Sequence, residues 1–268
     1  MNSPSELLDP LIAAARAAGD EILRHVAHGF AVETKADASP VTVADRAAEA
    51  IILEALRTHA PGVPVIAEEE VAAGRIPTHG DRFFLVDPLD GTKEFVRGGD
   101  DYSVNIGLIE GGAPVLGVVH QPATGLTWAG AEGQGAVRID ASGRRPIAVR
   151  PLGAQRVAVA SKSHFNQATA DYLATALGLC DPLAIGSSLK FCVVAEGRAD
   201  IYPRLSPTSE WDTAAGHAVL TAAGGRVDGP DGAPLTYGKP GFLNRGFCAT
   251  AGWPAPPIGP FLPDFASS

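Results

Sequence analysis

Phe83-Phe84-Leu85-Val86-Asp87-Pro88-Leu89-Asp90-Gly91-Thr92 is the stretch on which the reading of this chain turns. Four consecutive apolar residues predict a buried strand, and the run stops at an acid, a proline and a second acid before Gly91 and Thr92 lead into another element. Strand ends are where α/β folds place chemistry. Asp-Pro and Asp-Gly are also ordinary turn formers, so taken alone the segment is either a turn or a pair of carboxylates able to converge on one ion. Hard divalent cations such as Mg²⁺ take oxygen ligands, and a site for two of them needs carboxylates from several segments. A calcium loop of the EF-hand kind does not fit, because the acids are three residues apart and Lys93 follows Thr92.

On the N-terminal side, apolar residues from Leu7 to Val26 recur at helical spacing, and a second helix is expected from about Val43 to Leu56. Thr42-x-x-Asp45 reads first as a helix capping box. A short strand over 64–67 ends in Glu68-Glu69-Glu70, a triplet that is either solvated charge or a further source of ligands. On the C-terminal side, Tyr102–Ile109 and Pro114–His120 flank Glu110-Gly111-Gly112 as an antiparallel hairpin, with more short strands to about Val149. The first half, residues 1–150, therefore reads as α+β.

The second half, residues 151–268, reads as α/β. Strands are expected at 157–160, 183–185 and 199–202, with a helix near 167–177 and a helical run between the last two strands. A final helix begins near Glu210-Trp211-Asp212 and stops at Gly224-Gly225; Asp212 there is either a ligand or simply an early carboxylate at the positive end of the helix dipole. The Pro-rich stretch from Trp253 is expected to lie along the surface.

The chain has 268 residues, 46% of them apolar, and a formal charge of −9. That acidity, without any Lys/Arg-rich run, argues against a nucleic-acid polymer as partner. Three scattered cysteines, Cys180, Cys192 and Cys248, offer no C-x-x-C spacing and fit a reducing cytoplasm. No secretory signal or membrane span is legible.

Together, Lys35-x-Asp37-x-Ser39-Pro40-Val41-Thr42-x-x-Asp45, Ala67-Glu68-Glu69, Asp87–Thr92 and Trp211-Asp212-x-x-Ala215-Gly216 resemble the inositol monophosphatase superfamily in order and spacing. Lys93-Glu94-Phe95 after the Gly-Thr pair is similar to its bacterial 3'(2'),5'-bisphosphate nucleotidases. So are Ser161-Lys162-Ser163-His164, Gly186-Ser187-Ser188-Leu189-Lys190-Phe191 and Tyr202-Pro203-Arg204. The resemblance implies a layered αβαβα sandwich and a lithium-sensitive, Mg²⁺-dependent phosphomonoesterase with two or three ions per site. It implies that Glu68, Asp87 and the Leu89 carbonyl hold a first ion, and Asp87, Asp90 and Asp212 a second. It implies that the Gly91 and Thr92 amides receive phosphate oxygens and that Thr92 and Asp45 orient and deprotonate the attacking water.

On this reading the substrate is 3'(2')-phosphoadenosine 5'-phosphate, with Ser187, Asp212, His164, Lys190 and Arg204 as further contacts, the last three for the second phosphate. Glu210 departs from that picture. An acid near the second phosphate favours hydroxyl-rich substrates, which keeps inositol and sugar phosphates as the alternative. A metal-binding regulatory domain is the non-enzymatic alternative, disfavoured by the presence of both Thr92 and Asp45. The resemblance also leaves room for a homodimer and for peripheral contact with the inner membrane.

Overall fold

The computed structural model describes residues 2–29, 32–34, 40–178 and 181–262. Lys35, Asp37, Ser39 and Cys180 lie outside them. The chain starts with α1 (Pro4–His28), whose N-terminus is closed by a capping box between Ser3 and Glu6. A short antiparallel pair, β1 (Val32–Thr34) and β2 (Pro40–Thr42), leads into α2 (Val43–His59).

Next come β3 (Val65–Ala67), the short α3 (Glu68–Ala72), β4 (Arg82–Asp90), the short α4 (Thr92–Val96), β5 (Ser103–Glu110) and β6 (Ala113–Gln121). The meander then runs on through β7 (Leu126–Ala131), β8 (Gly135–Asp140) and β9 (Gly143–Ile147). These strands form one seven-stranded sheet in sequence order β3 to β9, antiparallel except for the β3–β4 pair. The second half contributes β10 (Val159–Ser161), α5 (Gln167–Leu177), β11 (Leu183–Ile185), α6 (Leu189–Ala195), β12 (Ile201–Arg204) and β13 (Thr208–Ser209). It ends with α7 (Trp211–Ala222), β14 (Arg226–Asp228), β15 (Leu243–Asn244) and β16 (Phe247–Thr250).

Three apolar clusters separate five layers. The first packs α1 and α2, through residues such as Leu11, Ile22 and Ile52, onto one face of the large sheet at Phe84, Ile106 and Val118. The second fills the other face, where Phe83, Leu85 and Val119 meet Phe191 of α6, Val219 of α7, and Tyr202 and Phe247 of the small sheet β12-β16-β14. A bridge from Ala158 to Ile201 ties the parallel pair β10-β11 to that small sheet. The third cluster seats α5 on the far side through Tyr172 and Leu173 against Ile201 and Cys248. The order is α, β, α, β, α, as the sequence led us to expect. The stretch after Trp253 lies along the protein, with Ile258 fully buried against α5 and its neighbours.

The depth at which α7 sits is set by glycines. Gly107, Gly117 and Gly130 are direct neighbours across β5, β6 and β7. A Cβ on Gly107 would come 2.9 Å from Ala214 Cβ, and one on Gly130 2.8 Å from Ala222 Cβ. The glycine row is a trough, and the alanine side of α7 lies in it. That fixes the start of α7, and with it Asp212, against the end of the large sheet.

Candidate active site

Two residues three apart on a regular strand point to opposite faces. In β4 they do not, because Asp87 pairs with Asn105 while Asp90 pairs with Ser103, three steps on one strand against two on the other. The extra residue is a β-bulge at Pro88-Leu89, where a proline removes no needed ladder hydrogen bond, and it re-aims Asp90 to the side of Asp87. The Leu89 amide donates to Asp87 Oδ1 at 3.0 Å, fixing the first carboxylate. Gly91 then turns at φ 88°, and a Cβ there would stand 2.7 Å from the Asp101 carbonyl oxygen, so glycine is required twice over.

One pocket between the halves is lined by Glu68, Asp87, Leu89, Asp90, Gly91, Thr92, His164, Ser187, Lys190, Arg204 and Asp212. Every residue expected at the site lines it except Asp45, which stands behind Thr92. The Thr92 hydroxyl donates to the Leu89 carbonyl at 2.9 Å and lies 3.5 Å from Asp45 Oδ1. The other oxygen, Asp45 Oδ2, accepts from the Thr42 amide at 2.7 Å and the Thr42 hydroxyl at 2.6 Å. The capping box and the turn toward Thr92 are thus both present, one on each oxygen of a single buried carboxylate.

The acids of the pocket crowd one another. Burial, then the proximity of Glu68, Asp90 and Asp212, holds the Asp87 carboxyl well above the usual carboxylate range. Burial and Asp90 likewise push Asp212 up to about 7, against hydrogen bonds from the Thr208 hydroxyl and the Ser209 amide. Among the described residues, Asp87, Asp90 and Asp212 have no ion-pair partner. Nor are three His, Cys, Asp or Glu side chains among those residues drawn closely enough together to enclose an ion as they stand. Buried and half-buried oxygen donors that repel one another, with a backbone carbonyl beside them, are nonetheless the donor set a hard divalent cation fits.

The pocket also holds cations. Lys190 is not on a helix surface: it is 1% exposed, with its ammonium donating to the Ser187 carbonyl and lying 5.1 Å from the Tyr202 ring centre. Burial brings its pKa down to about 8. Arg204 is held by the carbonyls of Ser206 and Pro207, and His164 has its pKa lowered by burial and then by Arg204, Lys93 and Lys190.

Glu210 corrects one expectation. It is fully buried and turned away from the pocket, accepting from the Gly238 and Lys239 amides at 2.7 and 3.1 Å and pairing with the Lys239 ammonium at 2.7 Å. It anchors the 238–242 loop, so it is no argument for a hydroxyl-rich substrate. Pocket residues that sequence reasoning did not assign include Ser188, whose amide donates to Asp90, and Thr208, whose hydroxyl donates to Asp212. Ser188 lies inside the 186–191 segment that carries the resemblance, whereas nothing in the local sequence distinguishes Thr208 from an ordinary loop hydroxyl.

Residues 3–251 match the model of the inositol monophosphatase family. The chain is 46% identical to the 3'(2'),5'-bisphosphate nucleotidase CysQ of Escherichia coli K12, over 90% of this chain and 98% of that one. In three dimensions it is similar to CysQ from Bacteroides thetaiotaomicron, with a TM-score of 0.77, 35% identity, and 91% and 96% of the two chains covered. It is also similar to an inositol monophosphatase from Anabaena, with a TM-score of 0.74, 30% identity, and 92% and 91% covered. The chain belongs to the inositol monophosphatase family and is a phosphatase of that family. Among the described residues, no helix is long and apolar enough to cross a membrane.

Proposed function

We propose that the protein is a Mg²⁺-dependent phosphomonoesterase that hydrolyses 3'(2')-phosphoadenosine 5'-phosphate to AMP and phosphate. One observation carries this reading. The pocket combines acids at the bulge of β4 with cations at Lys190, Arg204 and His164, which suits a substrate carrying a second phosphate beside the metal-bound one. The likeness to the CysQ nucleotidases supports it, and the burial of Glu210 removes the feature that favoured inositol phosphates.

Glu68, Asp87, the Leu89 carbonyl, Asp90 and Asp212 would hold the Mg²⁺ ions, which supply Lewis acidity toward water and offset charge on the phosphoryl oxygens. The chain's own groups do the rest. Asp45 Oδ1 and the Thr92 hydroxyl face each other across 3.5 Å, a loose distance suited to tightening when a water bound beside Thr92 gives up its proton. The first-turn amides at Gly91 and Thr92 have no partners within α4 and would donate to the phosphoryl oxygens. Lys190 and Arg204 meet the second phosphate, which holds the ester in line for displacement.

Phosphate release from 3'-phosphoadenosine 5'-phosphate and from inositol 1-phosphate, each with and without Mg²⁺, tests this. A higher kcat/KM for the bisphosphate, dependent on Mg²⁺, is expected. A preference for the inositol ester would overturn the substrate assignment.

A further inference from the structure

Ser187 is expected from the sequence to touch substrate, yet its hydroxyl is already committed. It donates to Asp90 Oδ2 at 2.8 Å, and the Ser188 amide donates to the same oxygen at 2.6 Å. Both donors come from the second half, and Asp90 belongs to the first. Among the described residues the other oxygen of Asp90 has no hydrogen-bond partner, and Asp90 lines the pocket.

The backbone shows that this arrangement is imposed. Ser187 has φ 55°, a left-handed conformation that a side chain makes costly and glycine would make free. The turn is also seated without slack: a Cβ on Gly186 would stand 2.7 Å from Asp101 Cβ. Below it, two strand residues of the first half receive the turn. Ser103, the register partner of Asp90, hydrogen-bonds the Ser187 hydroxyl, and the Ser188 hydroxyl donates to Asn105 Oδ1 at 2.6 Å. Since the Ser187 proton goes to Asp90, Ser103 is the donor in their contact. The result is a directed chain from Ser103 through Ser187 to Asp90.

We propose that Ser187 is a positioning residue for the metal site: with the Ser188 amide it locks one oxygen of Asp90, so that the second half of the protein sets the cation affinity of the first. This rests on the metal reading given above. Carboxylates that ligate metals are held by such outer hydrogen bonds, and losing one weakens binding by about 10- to 100-fold.

The test is Mn²⁺ binding to substrate-free protein, followed by electron paramagnetic resonance, for wild type, Ser187→Ala and Ser187→Gly. Both variants are expected to bind at least one Mn²⁺ about tenfold more weakly. Ser187→Gly relieves the backbone strain and so keeps the measurement meaningful if Ser187→Ala folds poorly. Unchanged Mn²⁺ affinity in both, with a raised KM for 3'-phosphoadenosine 5'-phosphate, would overturn the proposal and make Ser187 a substrate contact. Wild-type protein that takes up no Mn²⁺ would overturn the metal reading itself, a different result from equal binding in all three.

Discussion

Gly117 lies directly beneath Ala215: a Cβ on the glycine would come 2.9 Å from the Ala215 carbonyl carbon and 2.8 Å from Ala218 Cβ. The contact joins the middle of the large sheet to the helix that carries Asp212, so packing and chemistry meet in one residue pair. Gly117→Ala is expected to cost about 1–3 kcal/mol by overpacking, because the trough cannot widen without lifting α7. Urea unfolding measures the loss. The same variant should bind Mn²⁺ less well, since Asp212 moves with the helix, and unchanged stability would show that the sheet can yield.

On the proposed mechanism, Asp45 separates a structural from a chemical duty by oxygen. Asp45→Asn keeps an acceptor for the Thr42 cap but removes the base, so kcat is expected to fall by about 10²- to 10⁴-fold while the melting temperature barely moves. Asp45→Ala loses the cap too, at about 1 kcal/mol. Steady-state kinetics beside thermal unfolding distinguishes the two, and an Asn variant with near-normal kcat would remove Asp45 from the reaction.

Lys190 is expected to serve one end of the substrate only. Lys190→Met fills the same buried space without charge, and loss of a charge-assisted hydrogen bond worth about 1.5–3 kcal/mol should raise KM for 3'-phosphoadenosine 5'-phosphate by about 10- to 100-fold. Hydrolysis of p-nitrophenyl phosphate, which has no second phosphate, should change little. Equal losses on both substrates would place Lys190 in the reaction or the fold instead.

His120 and His217 make the protein acid-sensitive away from the site. Burial depresses His120 to about 4 and His217 to about 3 from an ordinary 6.5. Between those values the unfolded chain binds protons that the folded chain refuses, so stability is fully present above about pH 6.5 and is lost as pH falls below it. Each imidazole contributes a slope of up to about 1.4 kcal/mol per pH unit in that window. Urea unfolding of wild type and His120→Gln at pH 7, 6 and 5 should show a shallower fall in the variant; parallel curves would mean His120 is protonated in the native state.

Much of this architecture is legible in the sequence because periodicity reports burial. The helix over Gln167–Leu177 and the strand over Leu183–Ile185 appear at the residues expected, and all four acids line one pocket. What is not legible depends on partners distant in the chain. The trough exists only because Gly107, Gly117 and Gly130 fall in register, and register is a property of three strands together. The burial of Lys190 and the turning of Glu210 away from the pocket are hidden because nothing in an isolated helix or turn reveals which side another layer will cover. The left-handed turn at Ser187 is equally hidden, since serine gives no signal of positive φ.

The seating of α7 in the glycine trough also has a consequence for the newborn chain. The sheet that receives this helix is complete by Ile147, but its cover runs from Trp211 to Ala222. At a ribosome the large sheet therefore waits, one apolar face uncovered, while roughly 75 further residues are added, about 4 to 15 s at ordinary elongation rates. The acids of β4 meet Asp212 only when that wait ends, so the proposed ion site forms last, at the moment the exposed face is sealed.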